Sequence, residues 1–129
     1  MRIVLSVAAE DRMFDALAAT LAGGALRFYD LTPPSTADAK ISLQRHLASV
    51  PITDAHVRDG QLAASFGETL ARGSGKTTWA RVFAADGDPI MDIDVGEDGE
   101  GCACTFNTAE IRKGGPVVVR ELALGISRR

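Results

Sequence analysis

The residues with the most obvious chemical capacity form four groups. Gly73-Ser74-Gly75-Lys76-Thr77-Thr78 contains the GKT end of a phosphate-binding loop, in which backbone N–H groups, a lysine and a hydroxyl cradle a nucleotide's phosphates. The full pattern needs a glycine five residues before Gly75, and Leu70 stands there. Such a lysine must also open a helix, whereas Thr77 to Ala84 is β-branched, aromatic and alternating, the pattern of a strand. Seven carboxylates, Asp86, Asp88, Asp92, Asp94, Glu97, Asp98 and Glu100, form an acidic stretch able in principle to offer oxygens to a hard cation. Calcium needs about six to eight converging oxygens in a set order. Counted from Asp94, the third position is Gly96 and the twelfth Thr105, so solvated turns and a polar strand face are the simpler reading. Cys102, Cys104, His46 and His56 are adequate zinc ligands by type, yet Cys-x-Cys on a strand does not make the knuckle that Cys-x-x-Cys makes. Buried structural thiols fit better. Neither histidine lies beside a recognisable nucleophile motif, and no Gly-x-Ser-x-Gly elbow occurs. The sequence therefore assigns no catalytic residue, no cofactor and no metal.

Composition narrows the classes further. A chain of 129 residues has room for one domain with a real core, and 46% hydrophobic against 24% charged residues is the balance of an ordinary globular protein. Fourteen Lys and Arg against 17 Asp and Glu leave a net charge of -3, without the positive field that holds nucleic acid or anionic lipid. Apolar runs fall far short of the roughly 20 residues of a spanning helix. The start, Met1 to Ala9, meets Glu10, Asp11 and Arg12 before an apolar signal region develops, so no secretory signal is expected and the two cysteines are expected to be reduced.

The elements that must position these groups are legible from periodicity. Met13, Phe14, Leu17, Ala18 and Leu21 recur at helical spacing and Gly23-Gly24 supplies a stop, predicting an amphipathic helix over about 7–22, with Ile3 to Leu5 either extending it or forming a short leading strand. From Ala25 the period becomes two. Strands are expected at Leu26 to Leu31, Leu43 to Ile52, Gln61 to Phe66, Lys76 to Ala85, Ile90 to Val95, Cys102 to Asn107 and Val117 to Ile126, separated by Gly-, Asp- and Pro-rich turns. The polar segment Ser35 to Lys40 is expected to be an exposed and mobile connection. Apolar residues on both faces of Lys76 to Ala85 make it a central strand, joined through Asp86-Gly87 to Ile90 to Val95 in a hairpin. In that second strand Met91, Ile93 and Val95 face the core and Asp92 and Asp94 face water. The expected fold is mainly β, a single domain over 1–129: an antiparallel sandwich or jelly-roll-like barrel at 25–126 behind one N-terminal helix.

Taken in order, Gly23-Gly24-Ala25-Leu26-Arg27-Phe28-Tyr29, Gly75-Lys76-Thr77-Thr78-Trp79-Ala80-Arg81-Val82, Asp86-Gly87, Asp92-Ile93-Asp94-Val95-Gly96, Phe106-Asn107-Thr108 and Gly114-Gly115-Pro116-Val117 resemble a family of small tailed-bacteriophage and prophage virion proteins encoded near the major capsid protein. The resemblance implies a non-enzymatic component of the virion, a capsid decoration or cement protein, with a neck or tail structural protein as the alternative. It implies as partners the major capsid protein or other virion proteins, with self-association into a homo-oligomer as an option; neither nucleic acid nor membrane is expected, on the charge and the apolar run lengths above. It implies synthesis in the bacterial host cytoplasm and residence in the virion, and it transfers no catalytic residues. From the residues themselves a competing expectation is a small-ligand or cation-binding β module built on Asp86 to Glu100. The stretches expected to dock are Met1 to Val7 and Thr32 to Lys40, an apolar start and a Pro-rich loop that the domain's own core does not explain.

Overall fold

The computed structural model describes residues 3–58, 61–97, 104–106 and 110–125. Helix α1 (Val7–Leu21) is followed by strands β1 (Ala25–Tyr29), β2 (His46–Arg58), β3 (Gln61–Phe66), β4 (Thr69–Leu70), β5 (Gly75–Lys76), β6 (Trp79–Phe83), β7 (Pro89–Glu97), β8 (Cys104–Phe106), β9 (Glu110–Ile111), β10 (Pro116–Val117) and β11 (Val119–Gly125). Seven of these close into a barrel in the order β1-β2-β3-β11-β8-β7-β6, and two small ladders, β10-β4 and β5-β9, flank it. The fold is thus mainly β, with a barrel and one helix. The β7–β8 pairing is parallel, Val95 facing Cys104, where antiparallel neighbours were expected throughout. Alternation in a sequence fixes which side chains share a face and carries no information about strand direction.

The helix begins where Ser6, in extended backbone, accepts the Ala9 N–H on its Oγ at 3.1 Å. That cap excludes Ile3 to Leu5 from the helix, and these residues form neither helix nor strand. At the other end Ala22 N–H still donates to Ala18 O, and Gly23 then turns at φ +85, a left-handed step that glycine takes without strain. Gly24 is required for a different reason: a Cβ there would lie 2.0 Å from the Phe83 carbonyl oxygen. Ala18 and Leu21, with half-buried Phe14 and Leu17, join α1 to the barrel interior. No helix among the described residues is long and apolar enough to cross a membrane.

The interior is filled from alternate positions: Leu26 and Phe28 of β1, Ala48, Val50 and Ile52 of β2, Ala80 and Val82 of β6, Ile93 and Val95 of β7, Cys104 and Phe106 of β8 and Leu122 of β11. Phe28 and Phe106 stack across it at 5.3 Å between ring centroids. β2 serves two neighbours. Its first half pairs with β1 and its second half with β3, and the register shift between Ile52 and Asp54 bends it between the two. The expected strand over Leu43 to Ile52 therefore starts later, at His46, and runs on to Arg58.

The expected strand over Lys76 to Ala85 is broken at Thr77-Thr78, where the Thr78 N–H donates to Tyr29 O and its hydroxyl to Leu31 O, contacts outside any ladder. β6 is central as expected, paired with both β1 and β7, and the β6–β7 hairpin turns through Gly87 at φ +92. The expected turn Asp59-Gly60 and the expected strand residues Cys102, Asn107 and Ile126 lie outside the described residues.

Candidate docking surface

The outward side of the β2-β1-β6-β7 wall is covered in part: Tyr29, Trp79 and Arg81 are buried, while Arg27, Pro51 and Asp94 are exposed. Cross-strand register places Tyr29 beside Trp79 and His46, and Arg81 beside Asp92. Tyr29 stacks on Trp79 at 4.7 Å and tilts against His46 at 5.4 Å. Trp79 is 2% exposed, and its Nε1–H donates to the Asp30 carbonyl at 2.9 Å. Sequence alternation gave both faces of β6 apolar character, and burial of Trp79 on its outer face is explained by residues 31–45, which fold back over it.

Two ionic clamps hold that segment down. At its root, the Asp30 carboxylate accepts the Arg45 N–H at 2.6 Å and the Arg45 Nε–H at 2.7 Å. Burial pushes the Asp30 carboxyl upward, but the Arg45 amide, guanidinium and charge outweigh it and leave Asp30 below the usual carboxylate value. At its crown, Arg81 donates from Nε and Nη2 to the two Asp92 oxygens at 2.7 and 3.1 Å, from Nη1 to Ala39 O at 2.6 Å and from Nη2 to Thr36 O at 3.2 Å. The Asp92 hydrogen bond raises the Arg81 pKa against the opposing effect of burial. Sequence reading placed Asp92 in water and Ser35 to Lys40 in a free loop. Asp92 is half-buried instead, because a buried guanidinium needs a counter-charge and additional acceptors, and Arg81 takes them from the strand and the loop together; Ser35, Thr36, Asp38 and Lys40 are exposed as expected, while the Thr36 and Ala39 carbonyls tie that connection to the barrel.

Among the described residues, those singled out for chemistry are not grouped into a metal site. Gly75 and Lys76 sit in the β5–β9 ladder, Gly75 opposite Ile111, with no helix N-terminus near them in sequence. Thr77 is buried with its hydroxyl unpartnered, the sole such side-chain atom found among the described residues. His46 is half-buried, its Nε2 3.0 Å from Ala48 O. Burial, then the Arg72 charge, with a smaller push from Arg27, lower its pKa against the pull of that carbonyl. His56 lies on the exposed part of β2, 3.5 Å from Asp54. Cys104 is fully buried in the barrel. Asp98, Glu100 and Cys102 lie outside the described residues, and among the described ones no three His, Cys, Asp or Glu side chains are grouped to hold a metal ion.

Several large apolar side chains also lie on the surface. Ile3 and Val4 are 72% and 75% exposed, and Leu5 and Val7 also face solvent ahead of and at the start of α1; Met1 and Arg2 lie outside the described residues. On the clamped segment Leu31 and Leu43 are 58% and 81% exposed. Leu31 does this at φ +61, a conformation that costs a bulky side chain about 1–3 kcal/mol. A third site is an open cavity of 340 Å³ lined by Glu68, Thr69, Leu70, Pro116, Val117 and Val118, with Leu70 65% exposed. Sequence reasoning missed Leu31, Leu43 and this cavity, since nothing in the local pattern marks an apolar residue as uncovered. The chain matches no family model, no curated protein and no solved structure.

Proposed function

We propose that the protein is a non-enzymatic structural component of a tailed-phage or prophage virion, a capsid decoration or cement protein that stabilises the head. It is made in the host cytoplasm and docks on the major capsid protein or another virion protein. The observation that carries the reading is the exposed apolar run Ile3, Val4, Leu5 and Val7, surface that the chain's own core leaves uncovered. The ordered motifs from Gly23 to Val117 support it from the sequence side. A net charge of -3 favours protein partners over nucleic acid. A sandwich or jelly-roll-like arrangement is the finer form of the fold in this reading, with the bend in β2 acting as the corner by which one strand serves two sheets. A neck or tail structural protein uses the same surface on a different partner.

In the test, assembled particles are sedimented with the full chain and with an Ile3→Asp, Val4→Asp variant. Both chains should fold alike, and only the first should travel with particles. Equal binding of the two, or binding by neither, refutes the reading.

A further inference from the structure

We infer that the ribbon formed by residues 71–76 and 110–115 is a docking surface for a carboxylate-rich segment of another protein. The two stretches lie far apart in sequence, and backbone bonds lay them side by side. Lys76 pairs with Glu110 and Gly75 with Ile111 in the β5–β9 ladder. Beyond the ladder the Lys113 N–H donates to Ser74 Oγ at 2.8 Å, the Gly114 N–H to Ala71 O at 2.8 Å and the Ala71 N–H to Gly115 O at 2.8 Å. The Arg72 and Gly73 N–H groups fasten the ribbon to the barrel, donating to Leu47 O at 2.8 and 3.2 Å. The frame therefore stands before anything binds, which lowers the ordering cost of a contact.

What this frame carries is positive charge. Arg72, Lys76, Arg112 and Lys113 are all exposed, and Glu110 is the one carboxylate in the two stretches. Four cations and one anion leave +3 on these 12 residues of a chain whose total is -3, so the other 117 residues carry -6. Arg45 and Arg81 are answered by Asp30 and Asp92, whereas among the described residues no salt bridge reaches these four. Like charges gathered on a fixed frame repel one another, and an anionic partner turns that repulsion into attraction.

The arrangement favours an extended carboxylate chain over phosphate. The cations follow one another along the ribbon, and Gly75-Lys76 opens no helix, so a compact phosphate meets few of them while a run of Asp and Glu meets all. A nucleic acid strand that outran the ribbon would cross a surface of net -6.

The inference goes beyond the particle reading and stands without it, since any acidic protein segment suffices. Fluorescence anisotropy can follow a dye-labelled peptide of alternating Glu and Ser titrated with the full chain at low ionic strength. Binding should saturate and fade as salt is added, and the peptide with Gln in place of Glu should not bind. The double variant Arg72→Gln, Arg112→Gln should weaken binding about fivefold or more with its thermal transition unchanged. Arg12→Gln, Lys40→Gln removes the same charge from exposed positions outside the ribbon and should weaken binding by less than about twofold. Lys76→Gln, Lys113→Gln takes the place of the first double variant if that chain does not fold. Absence of saturable binding overturns the inference, as does an equal loss in the two kinds of double variant or equal binding of the Gln peptide. A single-stranded oligonucleotide of the peptide's charge that binds more tightly than the peptide overturns the choice of partner.

Discussion

Replacing Asp92 by alanine leaves the Arg81 guanidinium in place with its counter-charge gone. Arg81 is 4% exposed in its side chain and Asp92 16%, so little water can reach in to compensate. Breaking a buried pair by removing one partner costs about 3–5 kcal/mol. The two carbonyls of Thr36 and Ala39 remain as acceptors and Asp92 keeps some solvent contact, which puts the expected loss near the lower end, about 3 kcal/mol. At an unfolding entropy of about 2.1 cal/mol/K per residue, the 129 residues give roughly 0.27 kcal/mol/K, so Tm should fall by about 11 °C. Calorimetry and urea unfolding at neutral pH measure it. The double variant Arg81→Leu, Asp92→Leu removes both charges and should recover most of the stability, yet it also removes the tie to Thr36 and Ala39. Trypsin should therefore cut after Lys40 faster in the double variant than in wild type, although the barrel is nearly as stable. An Asp92→Ala loss below about 1 kcal/mol would refute the argument that the pair is electrostatically buried, and unchanged cleavage at Lys40 would refute the clamp.

Trp79, buried beneath the clamped segment and hydrogen-bonded to Asp30, should resist quenching by acrylamide in the native state, and Trp79→Ala should cost about 3–5 kcal/mol; free quenching contradicts its placement. His46 is held below its usual 6.5, so the unfolded chain binds the extra proton first. Its contribution is complete above pH 6.5 and lost as pH falls through that value toward the lower folded one. Urea midpoints should accordingly fall between pH 7 and 5.5, and His46→Gln should flatten that limb; an equal slope in the variant contradicts the assignment. Lys76 lies in a β-ladder, so calorimetry with millimolar ATP and magnesium should show no saturable heat, and binding lost in Lys76→Ala would overturn this.

Much of the barrel was legible because its strands alternate. Gln61 to Phe66 and the β6–β7 hairpin follow from period and turn chemistry alone. Ala55 and Val57 alternate with Asp54, His56 and Arg58 in the same way, but the charges of that segment mask its period. The rest depended on contacts between distant residues. Arg81 lies in a strand whose pattern is apolar on both faces, and nothing local shows that the return of residues 31–45 over it makes it a buried cation. The parallel β7–β8 pairing follows from barrel closure, which no local pattern encodes. For the docking surface, the apolar start was visible in sequence as a run without helical period. Leu31 and Leu43 were not, since their exposure follows from how the segment between β1 and β2 is pinned.

The central claim, that this chain works by attachment to a particle, is tested most directly by the heat resistance of particles assembled with and without it. Particles lacking the chain should lose integrity at a lower temperature, full-length protein added back should restore the wild-type transition, and a folded chain lacking residues 1–7 should fail to do so at the same concentration. Particles that lack the protein yet match wild type in heat resistance and pressure tolerance would contradict the account.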